Sequence, residues 1–227
     1  MKLSIIIPAC NEYPALKKFL DAYSVVIFQN NIEVIVVLSP KNSDASHTIT
    51  SAKIVNSHYH NRASQMNLGA QEAQGDVLMF LHADVLPPLS FYSDIEKTIE
   101  EGMDFGFFAY RFGPSSFMLN INASFTKRDG ILAGGGDQIH FVTASLFREM
   151  GGYDEKMDIM EDFDFMRRIK KLGKPYTIVQ NKATVSSRKY HKRSWIRVNF
   201  ANLVAFTMFS LKINSSKIKK IYYGILR

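Results

Sequence analysis

The residues best able to do chemistry stand where apolar runs end. Val77-Leu78-Met79-Phe80-Leu81 begins after Gly75-Asp76 and is closed by His82-Ala83-Asp84. Such a run reads as a buried strand of a mainly parallel sheet, and open α/β sheets bind ligands beyond the carboxyl ends of their strands. A carboxylate at that edge suits a hard cation bridging a diphosphate, because Mg²⁺ or Mn²⁺ takes few protein ligands and leaves the phosphates to supply the rest. Asp84 is therefore the candidate metal ligand. A second group, Glu161, Asp162 and Asp164, crowds among Met160, Phe163 and Phe165 at the entrance of a helix that runs to Leu172 and stops at Gly173. Acids in a first turn complement the helix dipole, so capping accounts for them too. An apolar neighbourhood, however, raises a carboxylate towards the pKa of a useful general base. Third, Gly134-Gly135-Gly136 precedes Asp137-Gln138. Three glycines can wrap a loop round a ligand or aim amides at an anion, although the spacing matches neither a Walker loop nor the Rossmann fingerprint.

The elements that must hold these groups follow from periodicity. Leu3 to Pro8 reads as a central parallel strand,. Asn11 or Tyr13 leads into a helix with Pro14 in its first turn and Leu16, Phe19, Leu20 and Tyr23 on one face,. Glu33 to Leu38 is a second strand, Lys53 to Val55 a short third, and Asn61 to Gln74 a helix that Gly75 is placed to end,. Beyond Pro87-Pro88 the pattern predicts a helix over 89–101, a strand over 105–112, a helix over 117–127 and a short strand over 139–142. Strand, helix, strand with short joins is a right-handed βαβ unit.

At 227 residues the chain is long enough for a real core, and 46% hydrophobic with 22% charged residues gives no disorder signature,. One cysteine, Cys10, excludes an internal disulfide and fits a reducing compartment; with no signal-peptide pattern at Met1-Lys2-Leu3-Ser4, a cytoplasmic location is expected,. The net charge of +7 is unevenly spread. No acid follows Asp164, while 165–227 carries 16 Lys plus Arg; the first 164 residues hold 12 Lys plus Arg against all 21 acids. A solvated basic face is the plain account. A surface meeting polyanions, such as anionic headgroups, is the functional one.

In combination these pieces resemble the family 2 glycosyltransferases of GT-A fold, over roughly residues 3 to 195. Leu3-Ser4-Ile5-Ile6-Ile7-Pro8-Ala9-Cys10-Asn11-Glu12 is similar to the family's opening strand and Pro-x-x-Asn-Glu turn, and Arg62 to Ala70 to the helix before its metal-binding strand. His82-Ala83-Asp84 is similar to a variant Asp-x-Asp motif with histidine first; Gly136-Asp137-Gln138 and Met160-Glu161-Asp162 continue that subgroup's order. The resemblance implies a GT-A, Rossmann-like mixed sheet flanked by helices, over 1–193, with a basic helical extension over 194–227. It also implies transfer of a sugar from a UDP- or GDP-sugar to an acceptor hydroxyl with inversion. Asp84 would hold Mg²⁺ or Mn²⁺, Asp162 would be the base, and Glu161 would shape its field. Pro8, Ala9, Glu12, Asp44, Arg62, Gln65, Asn67, His82 and Ala83 would lie along the nucleotide donor, and Asp137 and Gln138 near donor sugar or acceptor. For Arg62 a surface helix-start role is an equal reading, and His82 is read as orienting Asp84 or as a polar strand end rather than as a direct ligand.

One departure concerns the nucleotide. The family's aspartate and glycine-serine turn after the second strand are replaced by Leu38-Ser39-Pro40-Lys41-Asn42-Ser43-Asp44, in which Asp44 matches only the later acid. That leaves nucleotide preference open and motivates a second reading, a silent GT-A module that binds a nucleotide or partner. The processive enzymes' Gln-x-x-Arg-Trp motif is absent, which argues against a polymerising synthase. A nucleotidyltransferase is disfavoured for want of its glycine-rich basic signature. The stretch from Trp195 to Ile213 is apolar but broken by Arg197, Asn199, Asn202 and Lys212, too interrupted for a bilayer span of ~20 apolar residues,. It is expected to lie on a membrane through 188–227, to close on the core, or to form a homodimer contact. Nucleic acid is disfavoured because no binding motif is present. The acceptor, a lipid-linked or cell-envelope glycan among the options, is not written in the sequence.

Overall fold

A seven-residue strand with every side chain buried, β1 (Leu3–Ala9), is the axis of the molecule. The computed structural model describes residues 1–227. After β1 come α1 (Tyr13–Gln29), β2 (Glu33–Leu38), β3 (Lys53–Asn56), α2 (Arg62–Glu72), β4 (Val77–Phe80), β5 (Val85–Leu86), α3 (Phe91–Glu100), β6 (Phe105–Gly113) and α4 (Phe117–Ser124). The chain continues through β7 (His140–Thr143), α5 (Ala144–Glu149), α6 (Glu161–Lys171), β8 (Thr177–Ser186), α7 (Arg188–His191), α8 (Trp195–Ser210) and α9 (Ser215–Leu226). One eight-stranded sheet has the order β3-β2-β1-β4-β7-β6-β8-β5. β3, β2, β1 and β4 are mutually parallel, β7 runs antiparallel between β4 and β6, and β6 and β8 are parallel with β5 antiparallel at the edge.

The alternation of β1 divides the core. Leu3, Ile5 and Ile7 face the layer made by α1, α3 and α4, where Leu16, Phe19, Phe91 and Ile95 are buried. Ile6 faces the opposite layer, with Ala63 and Met66 of α2 and Phe165 and Ile169 of α6. Helix α2 can lie close because Gly69 has no Cβ; one built there would stand 2.5 Å from Ile6 Cγ2.

Several local expectations need correction. Helix α2 ends at Glu72, so Gly75 does not stop it; Gly75 is glycine because a Cβ would lie 2.7 Å from the Ser4 amide nitrogen. Asn11 does not cap α1. Its left-handed backbone (φ 59) turns its side chain to accept from the Ser43 amide at 2.8 Å, and the Tyr13 amide is capped instead by Asp44 Oδ2 at 2.7 Å. The helix expected over 117–127 stops at Ser124 and continues as a 3₁₀ turn, Phe125–Lys127. β8 and α5 have no counterpart among the elements that the sequence pattern predicts.

The basic tail packs on the core. Ala205 and Phe209 of α8 and Ile218 of α9 are buried against Met160, the Phe163 ring meets Phe206 at 5.4 Å, and Ser215 Oγ donates to the Lys156 carbonyl at 2.8 Å. No helix is long and apolar enough to cross a membrane.

Candidate active site

Met160 adopts a left-handed backbone (φ 70), so α6 starts abruptly and carries its acids in the first turn. The three acids then part company. Asp164 faces the body of the protein, paired with Arg167 at 2.7 Å and Arg168 at 2.9 Å; it holds structure. Glu161 is buried and receives Arg62 Nε at 3.1 Å. Arg62 Nη1 lies 3.2 Å from His82 Nδ1, so one guanidinium ties the start of α2 to the start of α6 and to the end of the β4 run. Glu161 holds that guanidinium protonated, above its usual range. Burial and the Arg62 charge push His82 down to about 4, leaving a neutral imidazole,.

Asp162 is different. The only hydrogen bond to its carboxylate comes from the Phe163 amide at 2.8 Å. Burial first and the Glu161 charge second, against Arg62, push it up to about 8. A carboxyl poised there exchanges protons near neutrality, as a general base must.

Asp84 stands half-buried beyond β4. Burial, Asp137 and Glu12 raise its pKa, and Arg188 opposes them. Arg188 Nη2 lies 3.9 Å from Asp84 and 3.4 Å from Glu12, a cation set between two carboxylates. No group of three or more His, Cys, Asp or Glu side chains is placed to hold a metal ion. A single carboxylate fits a divalent cation only where phosphate oxygens complete its shell.

Between the start of α6, the glycine loop and the tail lies a cavity of about 570 Å³, with Asp137, Glu161 and Asp162 in its wall and residues of α8 and α9 also lining it. The glycine run is part of this wall and is tightly seated. A Cβ on Gly135 would stand 2.3 Å from the Phe163 ring, and Gly134 and Gly136 have φ of 73° and 77°. His140 Nε2 donates to the Gly134 carbonyl at 2.7 Å, and Tyr153 Oη lies 3.3 Å from Nδ1; burial pushes His140 down to about 4.

The remaining predicted residues divide cleanly. Pro8 and Ala9 end β1, with the Ala9 carbonyl accepting from Ser39, and Ala83 is buried. Gln65 is buried with its amide donating to the Val37 and Ala9 carbonyls at 2.8 and 3.3 Å. Asn67 exchanges two hydrogen bonds with the Tyr153 backbone. Gln138 is bonded to Gly134, Phe108 and Thr126 backbone groups. Asp44 caps both Tyr13 and Ser46. The side chains of these four all hydrogen-bond to backbone groups of neighbouring segments. Arg188 and Lys189, which the sequence groups only with the basic tail, stand two and three residues past β8, at the start of α7. Lys189 lines the cavity with its ammonium over the Tyr222 ring at 5.4 Å.

A mixed sheet of this order, with paired acids at its carboxyl edge and helices on both faces, defines a GT-A-type transferase domain. The sequence profile of glycosyl transferase family 2 matches residues 4–150, and the chain belongs to that family: it is a glycosyltransferase. Residues 1–349 of TarS from S. aureus superpose with TM-score 0.66 at 16% identity, covering 100% of this chain and 71% of that one. The mannosyltransferase PcManGT from Pyrobaculum calidifontis, solved with GDP-Man and Mn²⁺, gives 0.66 at 16%, covering 98% and 68%. Glucosyl-3-phosphoglycerate synthase from Mycobacterium tuberculosis, solved with Mn²⁺, UDP and glucosyl-3-phosphoglycerate, gives 0.65 at 15%, covering 93% and 80%. No curated protein matches the sequence.

Proposed function

We propose that this glycosyltransferase moves a sugar from a UDP- or GDP-sugar to an acceptor hydroxyl with inversion, using Asp162 as the base. The carrying observation is the Asp162 carboxyl, raised to about 8 and lining a cavity, beside Glu161 and Asp137. Asp84 would hold Mg²⁺ or Mn²⁺, and the bound cation would neutralise charge on the leaving diphosphate. Relatives of the same fold solved with Mn²⁺ and nucleotide support this choice of cofactor and donor.

The chain's own residues divide the work. Arg188 supplies a fixed positive charge between Glu12 and Asp84, on the donor side. Arg62 fixes Glu161, whose charge keeps Asp162 basic enough to take the acceptor proton. His82, neutral, supports Arg62 rather than competing with it for the acid. Residues 1–193 form the transfer unit and 194–227 the extension that closes its cavity. Purified protein with Mn²⁺ and a donor panel tests the reading. A donor that raises the melting temperature should also be cleaved or transferred, and Asp84→Ala and Asp162→Asn should each lower turnover by roughly 10²-fold or more. Unaltered turnover in either variant removes that residue from the mechanism, and binding without cleavage by any donor makes the chain a silent module.

A further inference from the structure

We propose that the acceptor is a membrane lipid whose hydroxyl-bearing head enters the cavity while its hydrocarbon remains at the bilayer surface. This rests on the reading of Asp162 as the base. Two apolar stripes converge on the cavity and continue outward from it. Phe117, Ile121 and Phe125 recur at four-residue spacing along α4 and the turn after it, and Ile196, Phe200 and Leu203 at helical spacing along α8. Phe125 and Leu203 line the cavity and yet are 57% and 62% exposed, while Phe117 and Ile196 farther out are 79% and 71% exposed. The apolar wall therefore does not end with the cavity. A site for a wholly polar acceptor gains nothing from large apolar side chains left in water beyond its mouth.

Charge selects what covers the stripes. Lys127 and Arg128 follow Phe125 at two and three residues' distance, next to Asp129, which is already paired with Lys170 at 2.7 Å; Arg193 and Arg197 flank Ile196 in the segment where no acid occurs after Asp164. Apolar residues with basic flanks fit an anionic bilayer surface. They disfavour a second copy of this chain, which brings the same positive charges to the contact. Inside, the walls turn polar towards α6, with Lys189 and Asp137 facing the head. In the step itself, Asp162 takes the hydroxyl proton as the lipid oxygen bonds to the anomeric carbon. The bond from that carbon to the diphosphate breaks, and the nucleoside diphosphate leaves with its electron pair.

The test uses the full chain, Mn²⁺ and a labelled nucleotide sugar that it cleaves. One arm supplies vesicles of phosphatidylglycerol, diacylglycerol and a monoglycosyl diacylglycerol; the other supplies the tail-less heads glycerol, glycerophosphoglycerol and glycosylglycerol. Label should enter the organic phase from the vesicle arm, and Ile196→Glu with Phe200→Glu should lower that transfer on the order of tenfold or more. The melting temperature should hold, because both positions are exposed. Equal transfer to tail-less heads, or full lipid transfer by the double variant, overturns the lipid acceptor and leaves the transferase reading in place. Donor cleavage to water with no lipid product overturns it likewise. If no donor is cleaved in any arm, the transferase reading fails and takes this inference with it. A mass that doubles with concentration and is reversed by the double variant assigns the stripes to self-association and overturns the inference.

Discussion

Two sets of polar residues stand at the same edge of the sheet and are used in opposite ways. On the side built from β1, β2 and α2, Asp44, Gln65 and Asn67 point their polar atoms at backbone groups of neighbouring segments. Where α6 meets the glycine loop, Asp162 keeps one amide donor and looks into a cavity shared with Asp137, Lys189 and α8. The pKa shifts separate accordingly. For Asp44 the burial penalty is the largest single influence, yet the hydrogen bonds from Ser46, Tyr13 and Asn42 together outweigh it and the carboxyl is lowered; Asp162, buried, beside Glu161 and short of donors, is raised to about 8. Satisfied acids hold the frame. Unsatisfied ones in a cavity are available for proton transfer.

Mutations at the two sets should separate rate from stability. Asp162→Asn should lower turnover by roughly 10²–10⁴-fold, the span of a lost general base, while the donor still raises the melting temperature. A pH titration of stability gives the next effect. Because Asp162 is raised from 3.8 to about 8 in the folded protein, the folded state holds a proton that the unfolded chain has released between those values. Its contribution is present below the lower value and is lost as pH rises through the upper one, at no more than about 1.4 kcal/mol per pH unit. Denaturant unfolding from pH 5 to 8 should therefore show stability falling more steeply in the wild type than in Asp162→Asn; parallel curves would contradict the raised pKa.

On the frame side, Gln65→Leu should cost about 1–3 kcal/mol in unfolding free energy, because the Val37 and Ala9 carbonyls lose their partner, with donor KM unchanged,. A KM that rises without loss of stability would return Gln65 to the donor pocket. Asp44→Ala should cost about 0.5–2 kcal/mol through its lost caps,. Here too calorimetry against KM decides between frame and ligand.

Much of this was legible because β1, β2 and β4 are short apolar runs with unambiguous ends, and α1 buries the four residues its spacing indicates. β8 was not legible. Its centre, Gln180-Asn181-Lys182, is exposed where its register with β6 shifts between Phe108 and Tyr110, and that irregularity breaks the alternation a strand should show. α5, six residues long, is too short for a helical period to emerge. In the site, a carboxylate at the end of an apolar run pointed to Asp84, whereas Asp162 stood out as one of three acids crowded among apolar residues at a helix entrance, where capping accounts for it equally and only the family resemblance favours a base. Sequence could not say that Gln138 turns inward or that Arg188 reaches Asp84 and Glu12, because both depend on segments brought together only by the sheet. The apolar face of α8 was ambiguous for a related reason. Ala205 and Phe209 pack on the core while Ile196, Phe200 and Leu203 do not, so no single periodic face dominates.

The division between frame and chemistry is tested most directly by titrating carboxyl carbons of the folded protein by ¹³C NMR, with resonances assigned through Asp162→Asn and Asp44→Asn. The account predicts that Asp162 titrates near 8 and Asp44 below its ordinary 3.8. An Asp162 resonance that titrates with the ordinary carboxylates would contradict it.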